Sequence, residues 1–380
     1  MTRADAGPAL LEPNAAVPHL NPPHSGFSVV KAVVSGYGAA MSRRRQRTIG
    51  IREVAQGAMV SVATASRVLS KSDYPVAEET RLRVERVARD LGFVPNAMAR
   101  GLARARSDSI GVIVPVTNAY YDNMITGIET AARDRGLTML LGLTQADEAR
   151  REALVTQFLE RRVDGIVVCA ASHDQRLGRL PAQMPVPMVL VGQQPNAGYP
   201  MVRSDNVQAG VAAARHLYER GHRRFAYMTP QADWYDFNDR YKGLKAYLDA
   251  AGEPVSIALM DGVAGETGAY ERIRSACASG LDATAIIAST DRHAIGTLAA
   301  LADAGVSVPD EVAVMGFDNY LTSAYLRPSL TSVSMPAAEM GRLGVEHLWS
   351  MLNGGDVPED TELQARLIVR QSTGGTAPRN

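Results

Sequence analysis

From residue 109 to about residue 318, short apolar runs alternate with longer amphipathic stretches. The runs IGVIVPV (110–116), TMLLGLT (138–144), DGIVVCA (164–170), PMVLVG (187–192), RRFAYMT (223–229), TAIIAST (284–290) and VAVMGFD (312–318) read as buried strands bounded by turn residues. Between them, TGIETAARDRG, REALVTQFLERRV, QAGVAAARHLYERG, YKGLKAYLDAAG and AIGTLAALADAG carry apolar residues at helical spacing. Strand and helix in alternation predict βαβ units, hence parallel sheets covered by helices on both faces. Gly136, Gly221, Gly252 and Gly305 each stand just past a helical stretch, where a helix-ending glycine belongs. About 270 residues of this pattern exceed what one sheet carries, so two similar lobes are expected.

Upstream the period changes. IREVAQGA (51–58) has a helical pattern, Met59-Val60-Ser61 forms a turn, and a second helix starts at Val62 with Ser61 as its N-cap. Helix, three-residue turn, helix is the spacing of a helix-turn-helix. In the second helix Ala65, Val68 and Leu69 face inward, while Val62, Ala63, Ser66 and Arg67 face outward, the first two at the end that enters a major groove. Ser61 and Thr64 stand at the same helix start and are counted with them among the expected DNA contacts. Arg67 suits either a guanine edge or a phosphate, and the pattern does not choose between them. A third helix, EETRLRVERVARDLG, packs behind and presents arginines to solvent.

Composition changes this picture mainly through charge. The 380 residues carry 40 basic and 40 acidic side chains, yet residues 41–107 hold 14 basic against 6 acidic ones and residues 108–380 hold 24 against 32. A module of charge +8 therefore precedes a body of charge −8, the distribution expected when one end meets a polyanion. The hydrophobic fraction of 46% is ordinary, and no apolar run approaches the roughly 18 residues of a membrane span. Two cysteines, Cys169 and Cys277, lack metal-ligand spacing and read as buried reduced thiols; no metal or cofactor is expected. Residues 1–47, with prolines at 8, 13, 18, 22 and 23 and the run SRRRQR, read as a disordered extension, and Met41 is an alternative start of translation. The stretch FSVVKAVVSGYGAA competes as a secretory signal, but Lys31 interrupts its apolar core.

TIGIREVAQGAMVSVATASRVLS, followed by DYPVAEETRLRVERVARDLGFVPNAMARGLARARSDSIGVIVP, resembles the start of a lactose-repressor (LacI) family regulator, and the similarity continues to about residue 372. The resemblance implies an all-α headpiece (48–94), a hinge helix and linker (95–108), and a two-lobed α/β domain like the periplasmic binding proteins (109–372). Crossovers are expected near 202–206 and 331–336, and a flexible tail at 373–380. It further implies a homodimer, with a tetramer left open, on double-stranded palindromic operator DNA in the cytoplasm. Asn96, Ala99, Arg100 and Leu102 would lie along the hinge helix, Leu102 wedging into the minor groove at a cost of a few kcal/mol that the resulting bend offsets. The chain departs from the family at Gly50, where a threonine usually caps the first helix, at Gly57, where a leucine is usual, at Met59, where glycine is preferred in the turn, and at Gly101 in the hinge. Each helix glycine should cost about 0.5–1 kcal/mol.

Clefts in such bodies lie at the carboxyl ends of parallel strands. Asn118, Tyr120 and Tyr121 follow the first strand, Asp205 and Asn206 mark the first crossover, Thr290 and Asp291 follow TAIIAS, and Phe317 and Asp318 follow VAVMG. By resemblance, Arg240, Asp291 and Asp318 match the family's polar ligand positions. Carboxylates and a guanidinium suit a hydroxyl-rich effector, most simply a sugar, on whose face Tyr120, Trp234 or Phe317 would stack. Thr290 replaces the usual asparagine, which leaves the effector's identity open, and capping is the alternative role for Asp205 and Asp318. No GxxxxGK[ST], GxSxG or HExxH motif occurs, so an enzyme would need an unfamiliar site. A plain ligand-binding protein would leave the basic headpiece unexplained.

Overall fold

A computed structural model describes residues 49–70, 74–94, 106–145, 147–169, 184–192, 198–230 and 235–375. The expected extension at 1–47, the hinge positions 95–105, Trp234 and residues 376–380 lie outside the described residues, apart from the side of the linker that begins at Arg106. Two compact units divide the chain, residues 1–96 and residues 97–380.

The first unit contains α1 (Ile51–Gly57), α2 (Val62–Leu69) and α3 (Glu78–Asp90). With glycine at the N-cap of α1, only the reverse half of a capping box forms, the Glu53 carboxylate accepting from the Gly50 N–H at 3.1 Å. Met59 turns the chain between α1 and α2 with φ of +53°. Glu78 and Glu79 occupy the positive first turn of α3, and Arg83 Nε donates to the Ala58 carbonyl at the end of α1 over 3.0 Å. The core is small: Val54, Ala55, Ala58, Ala65, Val68, Val84 and Ala88, with Leu69, Val76, Val87 and Phe93 at its edge. Alanines contribute little apolar area, so a strain of about 1 kcal/mol counts in such a unit. The close approach explains Gly57, where an added Cβ would come within 2.8 Å of a Val87 methyl.

The second unit holds two six-stranded sheets. In the first lobe, β1 (Ser109–Val114), β2 (Thr138–Leu143), β3 (Gly165–Cys169), β4 (Met188–Val191), β5 (Met201–Ser204) and β11 (Asp360–Leu363) lie in the order β11-β5-β4-β3-β1-β2, all parallel. In the second lobe, β6 (Arg224–Met228), β7 (Ser256–Met260), β8 (Ala285–Ala288), β9 (Ala313–Phe317), β10 (Thr331–Ser334) and β12 (Arg366–Ile368) lie in the order β12-β10-β9-β8-β6-β7, with only β12 antiparallel. Helices α4 (Ala119–Asp134), α5 (Glu148–Glu160) and α10 (Ala337–Leu352) belong to the first lobe, and α6 (Asn206–Tyr218), α7 (Tyr235–Asp249), α8 (Gly265–Ala278) and α9 (Asp291–Asp303) to the second. Central strands such as β3, β4, β8 and β9 are buried along their whole length, which is why they read as unbroken apolar runs. Gly136, Gly221, Gly252 and Gly305 have φ between +70° and +90° past their helices.

The chain passes from the first lobe to the second at Asp205, returns at Met335-Pro336, and crosses a third time at Gln364-Ala365 between β11 and β12. That third crossing was not expected from the sequence. Asp205 holds two crossings together, accepting from Gln208 N at 2.9 Å as the N-cap of α6 and from Gln364 Nε2 at 3.2 Å. The expected flexible tail needs correcting at its start. Thr373 is buried, its hydroxyl 2.8 Å from both His216 Nε2 and Thr331 Oγ1, because the chain beyond β12 folds into a short 3-10 turn (Gln371–Thr373) against the second sheet. Cys169 is buried as expected, whereas Cys277 is only half-buried. Among the described residues no helix is long and apolar enough to cross a membrane.

Candidate functional site

The helix-turn-helix offers one surface. Ser61 caps α2, its hydroxyl accepting from Thr64 N at 3.0 Å and lying 2.9 Å from Thr64 Oγ1. Beyond the cap, Val62, Ala63, Ser66 and Arg67 are exposed, while Ala65 and Val68 are buried and Thr64 and Leu69 half-buried. The Arg67 guanidinium stacks on the Tyr74 ring, 4.0 Å from its centroid. A flat ring beneath a guanidinium restricts its rotamers. Of the expected DNA contacts, Asn96, Ala99, Arg100 and Leu102 lie outside the described residues.

The second site lies at the carboxyl ends of the strands. Arg240, on the inner face of α7, is buried. Its Nε donates to Asn206 Oδ1 at 2.8 Å, one terminal nitrogen donates to the Ser289 carbonyl at 2.5 Å, and the guanidinium carbon lies 4.7 Å from the Phe317 ring centroid. Asn206, at the start of α6, faces two ways, because its amide nitrogen donates to Asp236 Oδ1 at 3.0 Å. The backbone of α6 comes close enough to fix this geometry: a Cβ on Gly210 would lie 1.9 Å from the Arg240 carbonyl oxygen. Asp318 follows β9 with φ of +94° and Asn319 with φ of +53°, an uncommon left-handed pair held by Asp318 N to the Val333 carbonyl, Asn319 N to Ser332 Oγ and Arg370 to Asn319 Oδ1.

Burial dominates the electrostatics. Desolvation pushes the Asp318 carboxyl up to about 7 and that of Asp236 up to about 6, in each case partly offset by Arg240. Tyr120 and Tyr121, at the start of α4 in the other lobe, have phenols raised well above the usual tyrosine value by burial, with Asp236 and Asp318 adding to the rise. Tyr120 packs against the cores of both lobes, and its ring meets that of Tyr121 edge to face at 5.2 Å. Asn118 caps α4, accepting from Tyr121 N at 3.1 Å.

Three expected contacts sit differently. Asp291 has no exposed surface, and both of its oxygens are engaged, by Tyr320 N at 2.8 Å, Ser323 Oγ at 2.5 Å and Ser332 Oγ at 2.7 Å; it braces the loop after β9 instead of opening onto the cleft. Phe317 is fully buried beneath Arg240, so its ring supports the guanidinium and presents no face for stacking. Thr290 caps α9 and bonds His293 Nδ1 at 2.7 Å, while His293 Nε2 reaches the Val263 carbonyl at 3.0 Å, so the imidazole, its pKa held below the ordinary value by burial, occupies the hydroxyl. Two participants were missed. Asp236 lies one helical turn before Arg240, a spacing that places both on one face and was legible in DFNDR. Ser289 gave no signal beyond its place at the end of β8; it is fully buried and its hydroxyl has no hydrogen-bond partner among the described residues.

Residues 50–96 match the model of the bacterial regulatory proteins of the lacI family, and residues 214–373 match a periplasmic binding protein-like domain. The HTH-type transcriptional regulator GalR of Escherichia coli K12 is 31% identical over 334 residues, covering 86% of this chain and 96% of the relative. The chain belongs to the lacI family of regulators. Its fold agrees with that of the lac repressor dimer solved with operator and the anti-inducer ONPF, at a TM-score of 0.79 and 22% identity over 86% of this chain and 99% of the other. The transcriptional regulator CelR in complex with cellobiose aligns at a TM-score of 0.63 and 27% identity, over 85% of this chain and 99% of the other. Membership accounts for the pairing of a helix-turn-helix unit with a two-lobed α/β unit in one lacI-type chain.

Proposed function

We propose that this lacI-family protein is a transcriptional repressor that binds a palindromic operator as a homodimer and loses or gains that grip when a small hydroxyl-rich effector, a carbohydrate, occupies the inter-lobe cleft. The observation that carries the reading is the outward face of α2. Ser61 spends its hydroxyl on the cap, and Val62, Ala63, Ser66 and Arg67 remain solvent-facing on a basic module, as a recognition helix requires. Residues 48–94 are taken as the headpiece, 95–108 as hinge and linker, and 109–372 as the effector and dimer domain. Asn96, Ala99, Arg100 and Leu102 are assigned to the minor groove on the strength of family resemblance. Asn118, Tyr120, Tyr121, Arg240 and Asp318 are assigned to the effector, with Asp291 and Phe317 supporting them from behind. Leu321 and Tyr325, 81% and 71% exposed on the loop after β9, are large apolar side chains suited to contact with a second copy. The protein is placed in the cytoplasm, on the nucleoid, and is assigned no catalytic role.

A gel-shift titration on the promoter region of its own operon, repeated with pentoses, hexoses and cellobiose, tests this reading. A palindrome-specific, salt-sensitive complex whose affinity changes about 5- to 150-fold with one sugar is expected, the range of ordinary allosteric coupling. No such complex under any condition would overturn it.

A further inference from the structure

Among the described residues, the effector cleft carries more unused acceptors than donors. Asp236 receives one hydrogen bond, from Asn206, and the Asp318 carboxylate receives none from the described residues, although both side chains lie in the electrostatic reach of Arg240. No ion pair joins Arg240 to either carboxylate among the described residues; its Nε and one terminal nitrogen are already committed to Asn206 and Ser289. Asp318 is 8% exposed, and the unpartnered Ser289 hydroxyl, with no exposed surface, lies beside the carbonyl that anchors Arg240. Buried acceptors without partners are unfavourable, and the ligand that relieves them is one that brings donors.

We infer that Asp236, together with Asp318, sets the charge class of the effector, selecting a neutral polyol or an amino sugar and rejecting sugar acids and sugar phosphates. The inference rests on the proposal that the cleft binds a carbohydrate. Hydroxyl groups supply one donor each and an ammonium supplies three, so either satisfies carboxylate oxygens, while Arg240 returns donors to the ligand's own oxygens. A carboxylate or phosphate offers only acceptors and would stand against the buried Asp318 and the half-buried Asp236 with, among the described residues, the partly committed Arg240 guanidinium to offset them. Asp236 determines this outcome because without it the described cleft would hold one guanidinium against one open carboxylate.

Isothermal titration of the full-length protein with D-galactose, D-glucose and D-ribose, each beside its amino sugar, its acid and its terminal phosphate, tests the inference. The free or amino form is expected to bind at least about tenfold tighter than the matching acid or phosphate, since like charges brought together in a buried site disfavour binding strongly. Asp236→Asn and Asp236→Ser should narrow that gap to about threefold or less, mainly by admitting the acids. An acid or phosphate that binds the unaltered protein as tightly as its parent sugar overturns the charge selection while leaving the carbohydrate reading standing. Absence of heat with every sugar overturns the carbohydrate reading and the inference with it. The comparison among ligands uses the unaltered protein, so it stands even where a variant fails to fold.

Discussion

At the scale of single residues, the two informative positions are ones where a side chain occupies backbone or burial it does not favour. Met59 has φ of +53° and is 82% exposed, so it carries the strain of a left-handed residue and makes almost no contact in return. Met59→Gly is expected to stabilise the headpiece by roughly 0.5–1 kcal/mol, the released strain exceeding the added chain entropy, seen as a higher melting temperature of the headpiece transition. Asp318 presents the same conflict in charge. Its folded carboxyl titrates near 7 against an ordinary value of 3.8, so between those values the folded state holds more protons than the unfolded one. Stability therefore falls as pH rises from about 4 to 7, and the loss is complete above 7. Asp318→Asn should raise the melting temperature at pH 8 and leave it unchanged at pH 4, while weakening effector binding; equal effects at both pH values would contradict the assignment. Asp318 was singled out in the sequence by its place after a strand and Arg240 by family resemblance, and the structure puts Arg240 on the inner face of α7 and Asp318 just past β9. The sequence could not show that Asp291 is used up within its own loop, since three of its partners, Tyr320, Ser323 and Ser332, lie 29 to 41 residues away.

At the scale of elements, α6 and α7 cross at their glycines. A Cβ on Gly210 would lie 1.9 Å from the Arg240 carbonyl, and one on Gly243 would lie 1.9 Å from the Val207 carbonyl, each contact being with backbone that cannot swing aside. Gly210→Ala should therefore push α7 outward, destabilise the second unit by about 1–3 kcal/mol in denaturant unfolding, and displace Arg240 from Asn206. Effector affinity should fall more than stability explains, whereas Gly280→Ala, past the end of α8 with φ of +87° and nothing within 4 Å of the added Cβ, should lower stability and leave affinity alone. The alternation of strands and helices was legible because parallel strands buried on both faces need continuous apolar runs. β5, β7, β10, β11 and β12 were not read as strands; of these, DTEL and RLI are edge strands, exposed or half-buried throughout, and so carry no apolar signature. The third crossing and the ordered turn at Gln371–Thr373 were hidden with them.

At the scale of the whole molecule, charge is divided so that attraction to a polyanion belongs to one end. With 14 basic and 6 acidic residues over 41–107 and an excess of 8 acidic residues over 108–380, the body should repel DNA and only the headpiece and hinge should hold it. Operator affinity should then fall with rising salt along a log–log slope of about −5 to −9, the range for roughly 6–10 phosphates contacted by a dimer. The proposed phosphate contacts and the proposed minor-groove wedge are separable by substitution. Arg67→Ala should lower the affinity for operator, and if the guanidinium meets a phosphate it should flatten the slope by about one contact per subunit; if it meets a guanine edge, the slope should hold and specificity should relax at one base pair. Leu102→Ala carries no charge change, so if Leu102 is the proposed minor-groove wedge it should leave the slope intact, weaken only the operator complex and spare non-specific duplex, because such a wedge would contribute through a bend that non-specific DNA does not adopt. Competition gel shifts at 50 and 200 mM salt, with effector affinity measured in parallel, separate the two. A Leu102→Ala protein that lost operator and effector binding together would have lost its fold, and one that lost neither would remove the hinge from the binding mechanism.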